Sequence, residues 1–186
     1  MYPNRSRFIW CLFLFLLYAC SSPPSSISSN LTGVAPSIEV FFSPKGGATD
    51  AVVHELGNAK KEILVQAYSF TSAPIAKALV DAHKRGVKVT VVLDRSQRGE
   101  RYTSATFVAN AGIPTYIDAK HAIAHNKIMI IDGATLITGS FNFTKAAEEK
   151  NAENLLVIKG DVGLVKKYIA NFEEHLGHSE KYEGRQ

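Results

Sequence analysis

The sequence predicts one α/β domain: a mixed, mostly parallel β-sheet flanked by helices on both faces. Three observations carry this. β-rich runs alternate with stretches of helical periodicity from residue 38 to residue 177. The strand runs are almost continuously apolar, as in a sheet covered on both sides. A length of 186 residues, 46% of them hydrophobic, suits a single ordinary core.

The elements follow in order. IEVFFS (38–43) is rich in β-branched and aromatic residues. TDAVVHELGNAK (49–60) opens on a Thr/Asp cap and places Val52, Val53 and Leu56 at helical spacing. EILVQAY (62–68) is a strand. APIAKALVDAHKRG (73–86) is a helix with proline in its first turn and glycine at its stop. VKVTVVLD (87–94) is a strand, SATFVANAG (104–112) a short helix and PTYI (114–117) a short strand. KIMIID (127–132) and TLITGS (135–140) are strands, FTKAAEEKNAE (143–153) is partly helical, and NLLVI (154–158) is a strand. VGLVKKYIANFEEHLG (162–177) closes the domain as an amphipathic helix, so the domain runs from 38 to 178 and residues 179–186 are a tail.

Ahead of the domain, MYPNRSR is basic and FIWCLFLFLLYA is an apolar run shorter than a bilayer span. Small residues follow, and residues 1–22 read as a bacterial-type secretory signal. LYAC resembles a lipoprotein lipobox, with Cys20 as the lipidated residue and a membrane anchor. Residues 23–37, rich in Ser and Pro, read as a flexible spacer. The expected location is therefore periplasmic or secreted, with an uncleaved N-terminal anchor as the alternative. The chain has two cysteines, Cys11 and Cys20, both in this leader, which excludes a disulfide or a thiolate centre in the domain. The net charge of +4 includes Arg5 and Arg7 of the leader, so the domain is only weakly basic. That suits an anionic substrate without arguing for nucleic acid.

HAIAHNKIMIIDGATLITGSFNFT (121–144) holds the chemistry. Asp132-Gly133 between two apolar runs signals a two-residue hairpin turn. Ile131 then opposes Ala134, Met129 opposes Leu136, Lys127 opposes Thr138 and His125 opposes Ser140. His125, Lys127, Thr138 and Ser140 share one face, with Asn142 just beyond. These groups suit a phosphodiester. An imidazole can attack phosphorus, an ammonium can neutralise its oxygens, and a hydroxyl and carboxamide can fix its position. The set requires no metal and no cofactor. Asp132, of opposite parity and in the turn, has a turn-forming or electrostatic role. An isolated H-x-K would read better as a satisfied histidine and an edge-strand lysine; the coincidence of spaced features favours the site.

H-x-K-x4-D-x6-G-S-x-N, here His125, Lys127, Asp132, Gly139, Ser140 and Asn142, resembles the signature of the phospholipase D superfamily. QAYSFTS (66–72) and NAGIPTYID (110–118) resemble its corresponding segments, and the nearest resemblance is to the small single-motif bacterial endonuclease. The resemblance implies the phospholipase D-like fold, with His125 as nucleophile and Lys127 and Asn142 as phosphate ligands. It implies that Ser140 contacts the phosphate or the histidine, and that Glu153 orients the histidine; a surface carboxylate is the alternative for Glu153. It further implies a homodimer with a shared site, because one H-x-K supplies one histidine while the reaction needs a nucleophile and an acid. His121 has no lysine partner of its own. The substrate is nucleic acid or phospholipid, and a non-catalytic nucleic-acid-binding module is a third reading.

Arg95, Arg98 and Arg101 follow a strand end and read equally as a mobile basic loop gripping a polyanion or as a solvated loop; Lys120 extends that surface. Tyr68 and Phe70 either line the site or belong to the core. His54, His83, His175 and His178 receive no function, the last two because no metal-ligand partner stands at a useful spacing.

Overall fold

The computed structural model describes residues 35–100 and 103–184. The leader, Cys20, the spacer up to residue 34 and Arg101 lie outside them. The described strands are β1 (Ser37–Ser43), β2 (Glu62–Ala67), β3 (Lys88–Asp94), β4 (Thr115–Asp118), β5 (Lys127–Ile131), β6 (Thr135–Gly139), β7 (Glu153–Lys159) and β8 (Glu180–Lys181). They form one sheet in the order β1-β7-β6-β5-β2-β3-β4-β8. The helices are α1 (Ala48–Asn58), α2 (Ala73–Lys84), α3 (Ala105–Asn110), α4 (Lys145–Glu149) and α5 (Val162–Gly177). Among the described residues no helix is long and apolar enough to cross a membrane.

The sheet is mixed, but it is not mostly parallel. Parallel pairing is confined to β2–β3 and β3–β4, and the other neighbours are antiparallel. A parallel neighbour needs a long crossover. Only the crossovers through α2 and α3 bring the chain back parallel beside the strand it left. β1 instead crosses to the far edge and pairs with β7.

Helices cover both faces unequally. On one face, Val52 and Leu56 of α1, Ile75 and Leu79 of α2, Val108 of α3 and Ala147 of α4 join the larger core. On the other, Val165 and Phe172 of α5 pack on Leu64, Ile128, Ile130 and Leu136. The alternation of β5 follows: Met129 and Ile131 face the first core, Ile128 and Ile130 the second.

Two boundaries depart from the sequence expectation. The Thr49-Asp50 pair does not cap α1. Gly47 is its N-cap, and the Glu148 carboxylate accepts from the N–H groups of Gly47 (3.2 Å) and Thr49 (2.7 Å). A carboxylate distant in sequence thus meets the positive end of the helix. The C-terminal tail is part of the sheet: β8 pairs with β4, and the Tyr182 N–H donates to the Thr115 carbonyl at 2.8 Å.

The hairpin register also differs. Asp132 (φ 55°) and Gly133 (φ 65°) adopt the left-handed turn expected of Asp-Gly. Ala134 is an additional turn residue, so Ile131 pairs with Thr135 and Met129 with Ile137. One extra residue moves the partner strand to the opposite parity. Thr138 therefore shares a face with Leu136, away from Lys127, and the expected Lys127–Thr138 pairing is not formed.

Asp132 lies at the far end of β5 from His125, about 20 Å away at the usual strand rise. It is therefore outside the site. Its carboxylate accepts from the backbone N–H groups of Lys60 (2.8 Å), Lys61 (2.7 Å) and Glu62 (2.9 Å), locking the start of β2 to the hairpin. Burial acts to raise its pKa, but the three N–H donors outweigh it and hold the carboxyl below its ordinary value. A depressed carboxyl pKa stabilises the fold above the ordinary value, and that contribution is lost as pH falls through the folded-state value. Asp132→Asn, which tolerates the same left-handed turn, is expected to cost about 1–2 kcal/mol and leave the activity of the folded protein unchanged. Thermal melts across pH check this: the variant and wild type should converge in acid, and a loss of kcat at unchanged stability would return Asp132 to the chemistry.

Candidate active site

Lys127 is the first residue of β5, level with Ala67 at the end of β2. The site thus sits at the edge of the sheet where β2 and β3 end and β5 begins. The backbone ladder continues one step, with the Tyr68 N–H donating to the Asn126 carbonyl at 2.8 Å. This places Tyr68 beside the H-x-K segment. Its ring lies 4.6 Å from the His125 ring, tilted by 56°, and the Lys127 ammonium lies 5.1 Å from the Tyr68 centroid. The Lys127 ammonium also donates to the His125 carbonyl at 2.9 Å. Tyr68 therefore belongs to the site and not to the core. Its sequence signal, an aromatic residue just past a strand end, becomes decisive only once β2 and β5 are neighbours.

Gly139 explains the next part of the signature. Its φ is 147°, and a Cβ there would stand 2.3 Å from the Asn154 carbonyl oxygen. Only glycine lets the chain pass β7 this closely. The Asn154 carbonyl then accepts from the N–H groups of both Ser140 and Phe141, each at 3.1 Å. Beyond it, Phe141 and Phe143 are fully buried, and Phe143 forms a parallel bridge with the buried Phe70. Thr71 and Ser72 both donate to the Phe143 carbonyl. Ser140 and Asn142 alternate with these two anchors, so the phenylalanines hold the polar pair in place. The Ser140 hydroxyl oxygen accepts from the Asn154 N–H at 3.0 Å, which leaves its own proton available. The Asn142 carboxamide oxygen is buried and has no hydrogen-bond partner among the described residues. Both amide atoms of the buried Gln66 are likewise unpartnered. The Asn142 oxygen can only accept, so it is the amide N–H groups of Asn142 that suit a phosphate oxygen.

Electrostatics single out Lys127. It is 7% exposed, and burial lowers its pKa while the Glu153 carboxylate pulls it back up. Glu153, the first residue of β7, is half-buried and accepts from the Asn151 amide at 3.2 Å. The expected contact of Glu153 with the histidine is not made within one chain: the carboxylate acts on Lys127, and the His125 ring makes no hydrogen bond among the described residues. His125 is exposed. A large apolar groove lies elsewhere, between α2 and α3, lined by Val80, Lys84 and Phe107 among others, and includes none of these groups.

The remaining candidates fall outside this cluster. Arg95 and Arg98 lie in a 3₁₀ turn, Arg95–Arg98, whose Ser96 N–H is capped by Asp94. The buried Gln97 accepts from the Phe70 N–H at 3.2 Å and from the Thr103 hydroxyl at 2.9 Å. Arg98 pairs with Glu180 at 2.6 Å, tying this turn to β8. Arg95 and Lys120 are exposed at the same sheet edge. His121 is held by Asp118 and packs against His175 and His178, so it is no rival to His125.

Comparison with known proteins identifies the family and the fold. A family model described as "Cardiolipin synthase, PLD-like domain" matches residues 52–176. The chain is 39% identical over 153 residues to a phospholipase D of Rickettsia felis, covering 82% of this chain and 76% of that one. It is 31% identical to a mitochondrial cardiolipin hydrolase of Xenopus laevis over 162 residues, 87% of this chain and 73% of that one. The structure is similar to Nuc of Salmonella typhimurium, a phospholipase D family member, with a TM-score of 0.77 and 41% identity over 79% of this chain and 98% of the other. NucT from Helicobacter pylori shares the fold, with a TM-score of 0.73 at 23% identity over 79% of this chain and 99% of that one.

Proposed function

Because the chain belongs to the phospholipase D superfamily and is a phosphodiesterase of that superfamily, we propose that it is an exported endonuclease that cleaves nucleic acid through a phosphohistidine on a homodimer. The carrying observation is the exposed His125 packed against Tyr68 and beside the buried Lys127, in a chain that has a single H-x-K. The departing oxygen needs a proton from an acid. A second copy of the chain, docked about a twofold axis at this edge, supplies one as the partner's His125.

The steps balance as follows. A ring nitrogen of His125 attacks phosphorus while the P–O bond to the leaving group breaks. The partner's His125, protonated, gives that oxygen its proton. Water then attacks phosphorus, the P–N bond breaks, and the water's proton returns to the partner's His125. Lys127 offsets charge on the non-bridging oxygens, while the Asn142 amide and the Ser140 hydroxyl donate to them. Glu153 keeps Lys127 protonated in its buried position. No step in this sequence needs a metal at phosphorus.

Nucleic acid is favoured by the likeness to Nuc, 98% of whose chain is matched at 41% identity. A phospholipid headgroup bond is the second reading, favoured by the names of the curated relatives. Plasmid DNA, single-stranded RNA, and vesicles of phosphatidylcholine or cardiolipin, without added divalent cations, separate the two. Nicking of DNA or cleavage of RNA is the expected result, and turnover of lipid alone would reverse the order. Export, with or without lipidation of Cys20, is checked by the intact mass of the mature protein.

A further inference from the structure

Asp118, His121, His175 and His178 form a second constellation, apart from the phosphate cradle. Each offers one ligand atom, and these atoms all lie within 4.8 Å of one another. We propose that these four side chains form a structural binding site for a divalent transition metal, best matched by Zn²⁺, that fastens the C-terminal segment to the sheet edge carrying the catalytic histidine.

The distances suit four ligands around one ion. The Asp118 Oδ2 oxygen lies 2.6 Å from His175 Nδ1, 3.3 Å from His121 Nδ1 and 3.2 Å from His178 Nε2. The three imidazole centroids stand 4.9, 5.3 and 5.3 Å apart, close to an equilateral triangle. Zinc–nitrogen bonds of about 2.0–2.1 Å at tetrahedral angles would place ligand atoms about 3.4 Å apart and ring centres about 5 Å apart. The ring centres already stand at that spacing, and the ligand atoms, between 2.6 and 4.8 Å apart, would draw to it on binding.

Hydrogen bonding alone accounts for it poorly. The Asp118 side chain is fully buried, and its Oδ1 already accepts from the Lys120 N–H at 3.0 Å. Three ring nitrogens converge on the one remaining oxygen, which has two lone pairs. His178 Nε2 is buried with no hydrogen bond. A cation between the four atoms satisfies all of them at once. Three imidazoles and one carboxylate are a borderline donor set that suits zinc above calcium or magnesium, and four protein ligands leave no open position for substrate. The Lys120 N–H on Asp118 and the Ser179 hydroxyl on the His175 carbonyl (2.6 Å) supply the outer support such sites have.

The sequence holds two short pairs, D-x2-H and H-x2-H, far apart in the chain. Spacing did not reveal partners for His175 and His178 because they meet Asp118 only after α5 and β8 pack back onto β4. Once they meet, the site joins three segments: the end of β4, the end of α5, and the loop that leads through Ala124 into His125. The Ala124 N–H is itself held by the buried Asp94 at 2.7 Å.

The test uses the chain purified without a histidine tag, stripped with chelator and titrated with Zn²⁺ and, separately, Co²⁺. The expected result is one ion per chain by elemental analysis and native mass spectrometry. Co²⁺ should give the visible absorption of a four-coordinate site, and saturating Zn²⁺ at 100 times Kd should raise Tm by about 5–10 °C. His178→Gln should weaken binding more than about 100-fold, beyond the loss of an outer partner, while His54→Gln on α1 should leave it unchanged. Should His178→Gln fail to fold, His121→Gln, whose side chain is 42% exposed, gives the same readout. Substoichiometric binding, or binding that survives these substitutions, overturns the proposal whatever the enzyme's substrate proves to be.

Discussion

Equal amounts of wild-type and His125→Ala chains, allowed to exchange subunits, are expected to retain about a quarter of the wild-type activity per chain. The homodimeric variant should lose more than about 10⁴-fold, because the group that bonds phosphorus is gone. At 1.36 kcal/mol per decade this is about 5 kcal/mol of transition-state stabilisation. The quarter follows from the shared site. If each turnover needs one imidazole as nucleophile and its twin as acid, only dimers with two intact chains work, and random pairing makes one dimer in four of that kind. A value near one half would mean that each chain works alone. Quenched turnover on the wild type should yield an acid-labile, alkali-stable phosphorus–nitrogen bond, which His125→Ala should lack.

Lys127→Met is expected to lower kcat/KM by roughly 10²–10³-fold, comparable to removing a preorganised oxyanion donor, while the fold stays at least as stable. The two effects share a cause. The ammonium is buried at 7% exposure, so the fold bears a desolvation cost that serves only the substrate's charge. Burial lowers the pKa of Lys127, with Glu153 opposing. A depressed lysine pKa makes this group's contribution to stability increase as pH rises from the folded-state value toward 10.5. In catalysis the sign reverses, since the charge is needed: the alkaline limb of kcat/KM should fall below the ordinary lysine value. Glu153→Gln removes the opposing carboxylate and should move that limb to still lower pH. An unchanged limb in a well-folded Glu153→Gln variant would dissolve the Glu153–Lys127 coupling.

The hairpin tests what a sequence can say about a site. Asp-Gly predicts the left-handed turn, and Asp132 and Gly133 adopt it. It does not reveal Ala134 as an extra residue, and that single residue sends Thr138 to the α5 face. The same residue removes the expected His125–Ser140 pairing. Ser140 and Asn142 lie past Gly139, which turns the chain, and Phe141 and Phe143 anchor them. Asp132, part of the signature, serves the fold through the N–H groups of Lys60, Lys61 and Glu62.

The sequence by itself determined the element types and the identity of the reacting groups. Both are local: helical and strand periodicities span a few residues, and the signature from His125 to Asn142 is contiguous. Tertiary structure alone decided which groups meet. Tyr68 joins His125 because β2 neighbours β5, Glu153 raises the pKa of Lys127 and makes no bond to the histidine, and Asp118 gains His175 and His178 beside the local His121 because α5 and β8 return to β4. The reason is that strand order and register arise from burial of whole faces across the sheet, and residue spacing along the chain carries no record of that choice.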